Sequence, residues 1–493
     1  MNRALRRVSI AVLFMFVLLL ANVNYLQAFE ADSLASKPGN SRAFDAQYQY
    51  QRGEIETADG TVLARSKYVG GTYKYQRQYP QGAEYAPVTG YDSLYGASGI
   101  ESGENSYLVG NSSKLAVRNV IDMITGKPKK GATVQLTIDS KAQTAAWNAL
   151  KSSGKAGAVV ALNPQTGAIL AMSSYPSYDP NQLAVLSGDQ LNTNDKNLLH
   201  DPSQPLLNRA ISATYPPGST FKIVTSSTLF AQGKENQNSL VSAPTSLKLP
   251  QSSVSLINND GEVCGNLGNG KATIITAFTE SCNTAFANIG MQVGSAALKS
   301  MAERYGMNAT SPTLNQELST QVAKSNFPLE PAQSFTAMSA IGQKDDTVTP
   351  LQEAMFAATI ANNGTLMRPY LVQQVQAADL SDVYTASPQA QSTPVSANVA
   401  GEIKQMMLSV VSSPDGTAHQ FANAIPGVQI AGKTGTAQNG INNSGLNDAV
   451  FTCFASSGNR SMAVGVIIQG GGYGAAAAAP IAVDVLKSYL ENG

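Results

Sequence analysis

Charge is scarce in this chain. Asp, Glu, Lys and Arg make up 13% of its 493 residues, against roughly 25% in an average soluble domain. Lys+Arg and Asp+Glu each number 33, so the net charge is zero. Nucleic acid as the main partner requires a basic excess and is excluded. Histidine is nearly absent: His200 and His419 lie far apart and show no ligand spacing. That argues against a Ser-His-Asp triad, and no metal or cofactor is expected. Cysteine is also rare, and three residues cannot carry a disulfide scaffold.

Apolar residues make up 43% of the chain, enough for sizeable cores, and the length suggests two or three domains. Arg3, Arg6 and Arg7 precede an apolar run from Val8 to Ala21, broken only by Ser9. With Val23, Tyr25, Leu26, Ala28 and Phe29 the run reaches about 22 residues, or roughly 33 Å of helix. No A-x-A cleavage site follows, so the reading is an uncleaved membrane anchor rather than a signal peptide. The arginines place the N-terminus in the cytoplasm and the chain after Phe29 outside the cell membrane. Three parts result: an anchor at 1–29, a polar region rich in Tyr, Gly and Ser at 30–132, and a larger domain at 133–493.

The larger domain is organised around Ala213-Thr214-Tyr215-Pro216-Pro217-Gly218-Ser219-Thr220-Phe221-Lys222-Ile223-Val224. Two prolines and a glycine end what precedes, and an apolar run follows, so the stretch delivers Ser219 to the first turn of a helix. Lys222, three residues on, falls on the same helical face. A serine hydroxyl needs a base to become a nucleophile, and with no histidine nearby lysine is the candidate. Ser-x-x-Lys alone is a weak signal in a chain of this size. Two later tripeptides change that: Ser281-Cys282-Asn283, and Lys433-Thr434-Gly435 followed by Thr436. Around them, strands are expected at Thr133–Asp139, Gly157–Asn163, Ala168–Met172, Val428–Ile430, Val450–Ala455 and Met462–Ile468. Helices are expected at Lys141–Leu150, over 272–289 with an interruption at Ser281–Asn283, and from Thr349 onwards. The fold class is α/β of the α+β type: an antiparallel sheet covered by helices beside an all-helical half.

Ser-x-x-Lys, Ser-x-Asn and Lys-Thr-Gly, in that order, form the signature of penicillin-recognising serine acyltransferases. From about residue 133 to the end, and more loosely from 50, the chain resembles the class B penicillin-binding proteins. Further matching segments are Ser177-Tyr178-Asp179-Pro180-Asn181, Pro205–Ala210, and Gly342-Gln343 followed by Thr349-Pro350-Leu351-Gln352. Within the class it is most similar to the actinobacterial penicillin-binding protein A group. In the first region, the hairpin-like Arg52–Ala64 and Ser98-Gly99-Ile100-Glu101 resemble motifs of the family's non-catalytic pedestal. One departure stands out: relatives often begin the strand after Lys-Thr-Gly with His-Ala-Trp-Phe, where this chain has Asp448-Ala449-Val450-Phe451.

The resemblance implies a D,D-transpeptidase that cross-links peptidoglycan stem peptides through a serine acyl-enzyme and is acylated by β-lactams. It also implies a membrane-embedded partner, a glycan polymerase of the shape, elongation, division and sporulation family. By the same carry-over Ser219 is the nucleophile and Lys222 its base, with Asn283 supporting Lys222 and Ser281 relaying a proton. Lys433 adds positive charge; Thr434, Gly435 and Thr436 form the substrate-binding strand. Two hydrolases are alternatives, a D,D-carboxypeptidase and a β-lactamase. The E-x-x-L-N segment of class A β-lactamases has no match at Glu317-Leu318-Ser319-Thr320-Gln321. A non-catalytic β-lactam sensor or divisome scaffold is the alternative outside enzymes. An exported domain permits disulfides. Cys453 sits in an apolar strand, which leaves Cys264 and Cys282, 18 residues apart, as the expected bridge.

Overall fold

The computed structural model describes residues 3–30, 47–253, 255–258, 261–265, 267, 269–309, 315, 318–329, 331–437 and 446–491. Glu317 lies outside them, as do residues 259, 260 and 266 of the loop around Cys264. Arg3–Phe29 is one 27-residue helix, and its large apolar side chains from Leu5 to Leu26 are exposed. Within it Leu5–Leu26 has a mean hydropathy of 2.1, which makes it a candidate membrane span.

The Asp59-Gly60 turn closes the expected hairpin, pairing Ile55–Glu56 with Val62–Tyr68. Gly60, at φ +81°, supplies the left-handed residue the turn needs. These strands belong to a six-stranded sheet that straddles residue 132. Its order is Asp382–Thr385, Val372–Gln376, Thr133–Leu136, Ile55–Glu56, Val62–Tyr68 and Tyr75–Gln78. Thr133–Leu136 runs parallel to Ile55–Glu56 and antiparallel to Val372–Gln376. Strands distant in sequence therefore complete the pedestal. Glu101 is fully buried at its centre. It accepts from Arg52 Nε and Arg77 Nε, both at 2.6 Å, and from Tyr79 Oη at 3.1 Å.

The second sheet has five antiparallel strands in the order Ile430–Ala437, Asp448–Ser457, Arg460–Ile468, Gly157–Leu162, Ile169–Tyr175. The two ends of the larger domain thus form one sheet, and the helices of the helical half are inserted between its second and third strands in sequence. Every residue of Gly157–Leu162 is buried, as its unbroken apolar run implies for a strand covered on both faces. Ser140–Ser153 and Ala479–Leu490 pack on each other and on this sheet, and Pro350–Ala361 packs against three of its strands. Asn283–Val293, Ser295–Arg304 and Ala397–Ser412 surround Lys222–Ala231, whose residues 222–230 are all buried. Of its small polar side chains, Ser226 Oγ is buried without a hydrogen-bond partner among the described residues, while the others bond within the core. Thr225 donates to Ala340 O at 2.7 Å, and Ser227 pairs with Tyr305 Oη at 2.7 Å.

Candidate active site

The stretch from Pro216 to Lys222 is wound more tightly than its sequence predicts. Gly218–Phe221 is a 3-10 helix, and the α-helix begins only at Lys222. Two prolines offer no N–H, and Gly218 at φ +56° turns the chain, so the first turn closes on i+3 contacts. With three residues per turn, positions i and i+3 eclipse, which aligns Ser219 with Lys222. Ser219 is half-buried; Lys222 is fully buried. The turn is clamped from outside. Gly218 N donates to Gly342 O at 2.9 Å, and a Cβ on Gly342 would lie 2.0 Å from Gly218 O. That contact explains the glycine in Gly342-Gln343.

The interruption expected in the 272–289 helix is present, between Ile274–Thr279 and Asn283–Val293, while residues 272 and 273 belong to the short strand Lys271–Thr273. Ser281 sits in the break at φ +63°, a conformation unusual for any residue but glycine. The break turns the Ser281 carbonyl and hydroxyl toward Lys222. Lys222 Nζ lies 2.6 Å from Ser281 O, 2.9 Å from Asn283 Oδ1 and 3.3 Å from Ser281 Oγ. Lys433 Nζ approaches Ser281 Oγ from the other side at 2.8 Å and also donates to Thr434 O at 3.1 Å. One serine hydroxyl therefore lies between two lysine amines.

Lys433, Thr434, Gly435 and Thr436 occupy Ile430–Ala437, the edge strand of the five-stranded sheet. Gly435 lies against the nucleophile turn, and a Cβ there would stand 2.9 Å from Pro217 O. Thr434 Oγ1 pairs with Thr417 Oγ1 at 2.6 Å, while Thr436 is half-buried. The three segments that carry the eight expected residues meet here: the nucleophile turn packs on the Ile430–Ala437 strand, and Lys222, Asn283 and Lys433 gather around Ser281.

Both lysines are fully buried, and neither forms an ion pair among the described residues. Burial, reinforced by the positive charge of Lys433, holds the Lys222 amine well below the usual lysine range. Burial pulls Lys433 down to about 7. A neutral lysine amine has two hydrogens and one lone pair. Ser281 O and Asn283 Oδ1 take the hydrogens, which leaves the lone pair free to accept from a hydroxyl.

Several supporting residues carry no sequence signal. Asn258 Oδ1 accepts from the backbone N–H of Asn283 at 2.8 Å and of Thr284 at 3.1 Å, so it caps the helix that presents Asn283. Phe286 and Phe278 present their rings to Lys222 Nζ and Lys433 Nζ at 5.4 and 5.5 Å. These contacts join segments distant in the chain, and no local pattern marks them. Cys264 and Cys282 are joined by a disulfide, which ties residues 261–265 to the break at 281–283. Closing a loop of this length contributes about 3 kcal/mol in chain-entropy terms. Glu280 lies beside the two sulfurs, a grouping with metal-ligand chemistry. The sulfurs are bonded to each other, however, and supply no thiolate. Cys453 is the free, buried thiol.

The sequence and the fold were compared with known proteins. Residues 157–487 match the penicillin binding protein transpeptidase domain, and residues 52–134 match the penicillin binding protein A dimerisation domain. The chain is 41% identical over 505 residues to peptidoglycan D,D-transpeptidase PbpA of Mycolicibacterium smegmatis, covering 100% of both chains. It is 40% identical, again over 100% of both, to the protein of that name from Mycobacterium tuberculosis. The ceftriaxone acyl-enzyme complex of penicillin-binding protein A from M. tuberculosis superposes with a TM-score of 0.85. Identity there is 38%, over 90% of this chain and 100% of that one. With the motifs in order, the site assembled and both domains matched, this chain belongs to the class B penicillin-binding proteins, in the peptidoglycan D,D-transpeptidase PbpA group.

Proposed function

We propose that this protein cross-links peptidoglycan as a D,D-transpeptidase, with Ser219 as nucleophile and Lys222 as its base. The observation that carries this assignment is the environment of Lys222: buried, without a counter-charge, both hydrogens engaged and its lone pair left over. Lys222 accepts the Ser219 proton as Oγ attacks the carbonyl between two terminal D-alanines. An ester forms, the C–N bond breaks, and D-alanine leaves as an amine. Ser281, hydrogen-bonded to Lys433 and adjacent to Lys222, passes the proton to that amine. An amine from a second stem peptide then attacks the ester, forms the cross-link and restores the Ser219 hydroxyl. The backbone N–H groups of Ser219 and Thr436 form the oxyanion hole, each donor contributing about 3 kcal/mol. Lys433, Thr434 and Thr436 bind the terminal carboxylate. A fluorescent penicillin labels Ser219 and no other residue, read by mass spectrometry of the digested adduct. An adduct elsewhere, or none, would refute the assignment. Turnover with an amine acceptor, against water, separates transpeptidase from hydrolase.

The anchor places residues 1–7 in the cytoplasm and the body outside, supported by Arg3, Arg6 and Arg7 before the apolar run that starts at Val8. The divisions at 29 and 132 are read on the same footing, supported by the matches at 52–134 and 157–487. A polymerase of the shape, elongation, division and sporulation family is the partner this arrangement calls for, since neither matched domain is a glycan polymerase. Reporter fusions after residue 60 are active only outside the cytoplasm, and proximity labelling from that position reaches the polymerase. Cytoplasmic activity would reverse the orientation, and a labelled set without such a polymerase would remove the partner.

A further inference from the structure

Behind the nucleophile turn lies a carboxyl group that the mechanism above does not use. Glu353, in the Pro350–Ala361 helix, is 0% exposed. Its Oε1 is 2.8 Å from Thr220 Oγ1, and Thr220 Oγ1 is 2.7 Å from Pro217 O. Thr220 directly follows Ser219, and Pro217 O is the atom that packs under Gly435. Thr452 Oγ1 donates to the Glu353 carbonyl at 2.6 Å and so fixes the helix at this point.

The hydroxyl of Thr220 has one hydrogen for two oxygen neighbours. Given to Glu353, it would leave two bare oxygens facing each other 2.7 Å apart at Pro217. Given to Pro217, it requires Glu353 to be the donor to Thr220, and a carboxyl donates only when protonated. The second assignment satisfies both contacts. The surroundings agree. Glu353 Oε2 has no hydrogen-bond partner among the described residues, and a buried carboxylate with a bare oxygen costs far more than a neutral acid. The charged groups on the neighbouring strands and helices are engaged elsewhere. Arg460 donates to Tyr489 O, and Asp448 accepts from Gly470 N. Glu402 accepts from Gln237 N, and Lys404 lies over the Phe454 ring. Lys222 and Lys433 both turn to Ser281. Burial, opposed by the Thr220 hydrogen bond, raises the Glu353 pKa to about 8.

We infer that Glu353 is a neutral carboxylic acid that donates to Thr220 and, through Thr220 and Pro217, fixes the turn carrying Ser219 against the Ile430–Ala437 strand. It is a positioning residue, and the inference rests on the reading of Ser219 as nucleophile.

The test compares Glu353→Gln and Glu353→Leu with the wild type, each as the full chain in detergent. Acylation by fluorescent penicillin and Tm are both followed from about pH 4.5 to 9. The leucine variant lacks the donor and is slowed about tenfold or more, because misplacing a reacting group by an ångström costs up to about 10²-fold. Its Tm near pH 8 stays at or above that of the wild type. The glutamine amide donates where the acid does and restores the rate to within a few-fold. In the unfolded chain Glu353 ionises near 4.5 and in the folded protein near 8, so its stabilisation is complete below 4.5 and is lost as pH rises to 8. The Tm of the wild type therefore falls relative to Glu353→Gln across that window. Lys222 and Lys433 are common to both proteins and cancel from the difference. A leucine variant acylated at the wild-type rate, a glutamine variant slowed as much as leucine, or a flat Tm difference would each overturn the inference. If the wild type is not acylated at Ser219, the reading of the nucleophile fails instead, and the Tm difference still decides the protonation of Glu353.

Discussion

Replacing Lys222 with alanine is expected to slow β-lactam acylation by about 10²–10⁴-fold, the range a positioned general base supplies, while the fold persists. No other amine substitutes. Lys433 Nζ is held by Ser281 Oγ and Thr434 O. Lys433→Ala removes a charge-assisted hydrogen bond worth about 1.5–3 kcal/mol. It therefore slows acylation by about 10- to 100-fold, mainly through weaker binding of the carboxylate. Stopped-flow labelling of both variants distinguishes the roles, and near-normal acylation in Lys222→Ala would remove it as the base. The pH dependence has a definite sign. Lys222 works as the neutral amine, so acylation rises with pH on the acid side of the profile. Both lysines have lowered folded pKa values, so the folded protein binds fewer protons than the unfolded chain between the folded pKa and about 10.4. Stability rises with pH across that window, and Lys222→Ala flattens the rise.

Glu101→Ala is expected to lose about 3–5 kcal/mol of stability, as removing one member of a buried ion pair does. The carboxylate lies between Arg52 and Arg77, both buried, and its loss strands two guanidiniums away from water. Asp92, buried nearby and within electrostatic reach of both arginines, recovers part of the charge balance. Burial alone would raise the Glu101 pKa, but Arg77 and Arg52 together outweigh it and hold the group below its ordinary value. Its stabilisation is therefore present above about pH 4.3 and is lost as pH falls through the folded pKa. Loss should concentrate in residues 52–134, where limited proteolysis detects it before the catalytic domain unfolds. A variant with wild-type melting and proteolysis would show that this cluster adds no net stability.

The sequence by itself determined the chemistry of this protein. Ser219, Lys222, Ser281, Asn283 and Lys433 stand in three short patterns, because a nucleophile and its base must lie one turn apart and each later group must sit on a fixed element. Strands such as Gly157–Leu162 and Arg460–Ile468 were equally legible, since burial on both faces demands an unbroken apolar run. Tertiary structure alone decided the rest. The 3-10 turn at Gly218–Phe221 is held against the sheet edge by Gly342 and Gly435, which close around Pro217 and Gly218 in contacts made across more than a hundred residues. The strand Val372–Gln376 joins the pedestal sheet although more than two hundred residues of chain, most of the helical half among them, separate it from Thr133–Leu136. Local patterns cannot register such pairings, because strand partners are chosen by which edges the packed core leaves open. Glu353 makes the same point at one residue. In sequence it is one polar side chain in the helix expected from Thr349 onwards. Burial against the sheet and a shared hydroxyl at Thr220 make it a neutral acid instead.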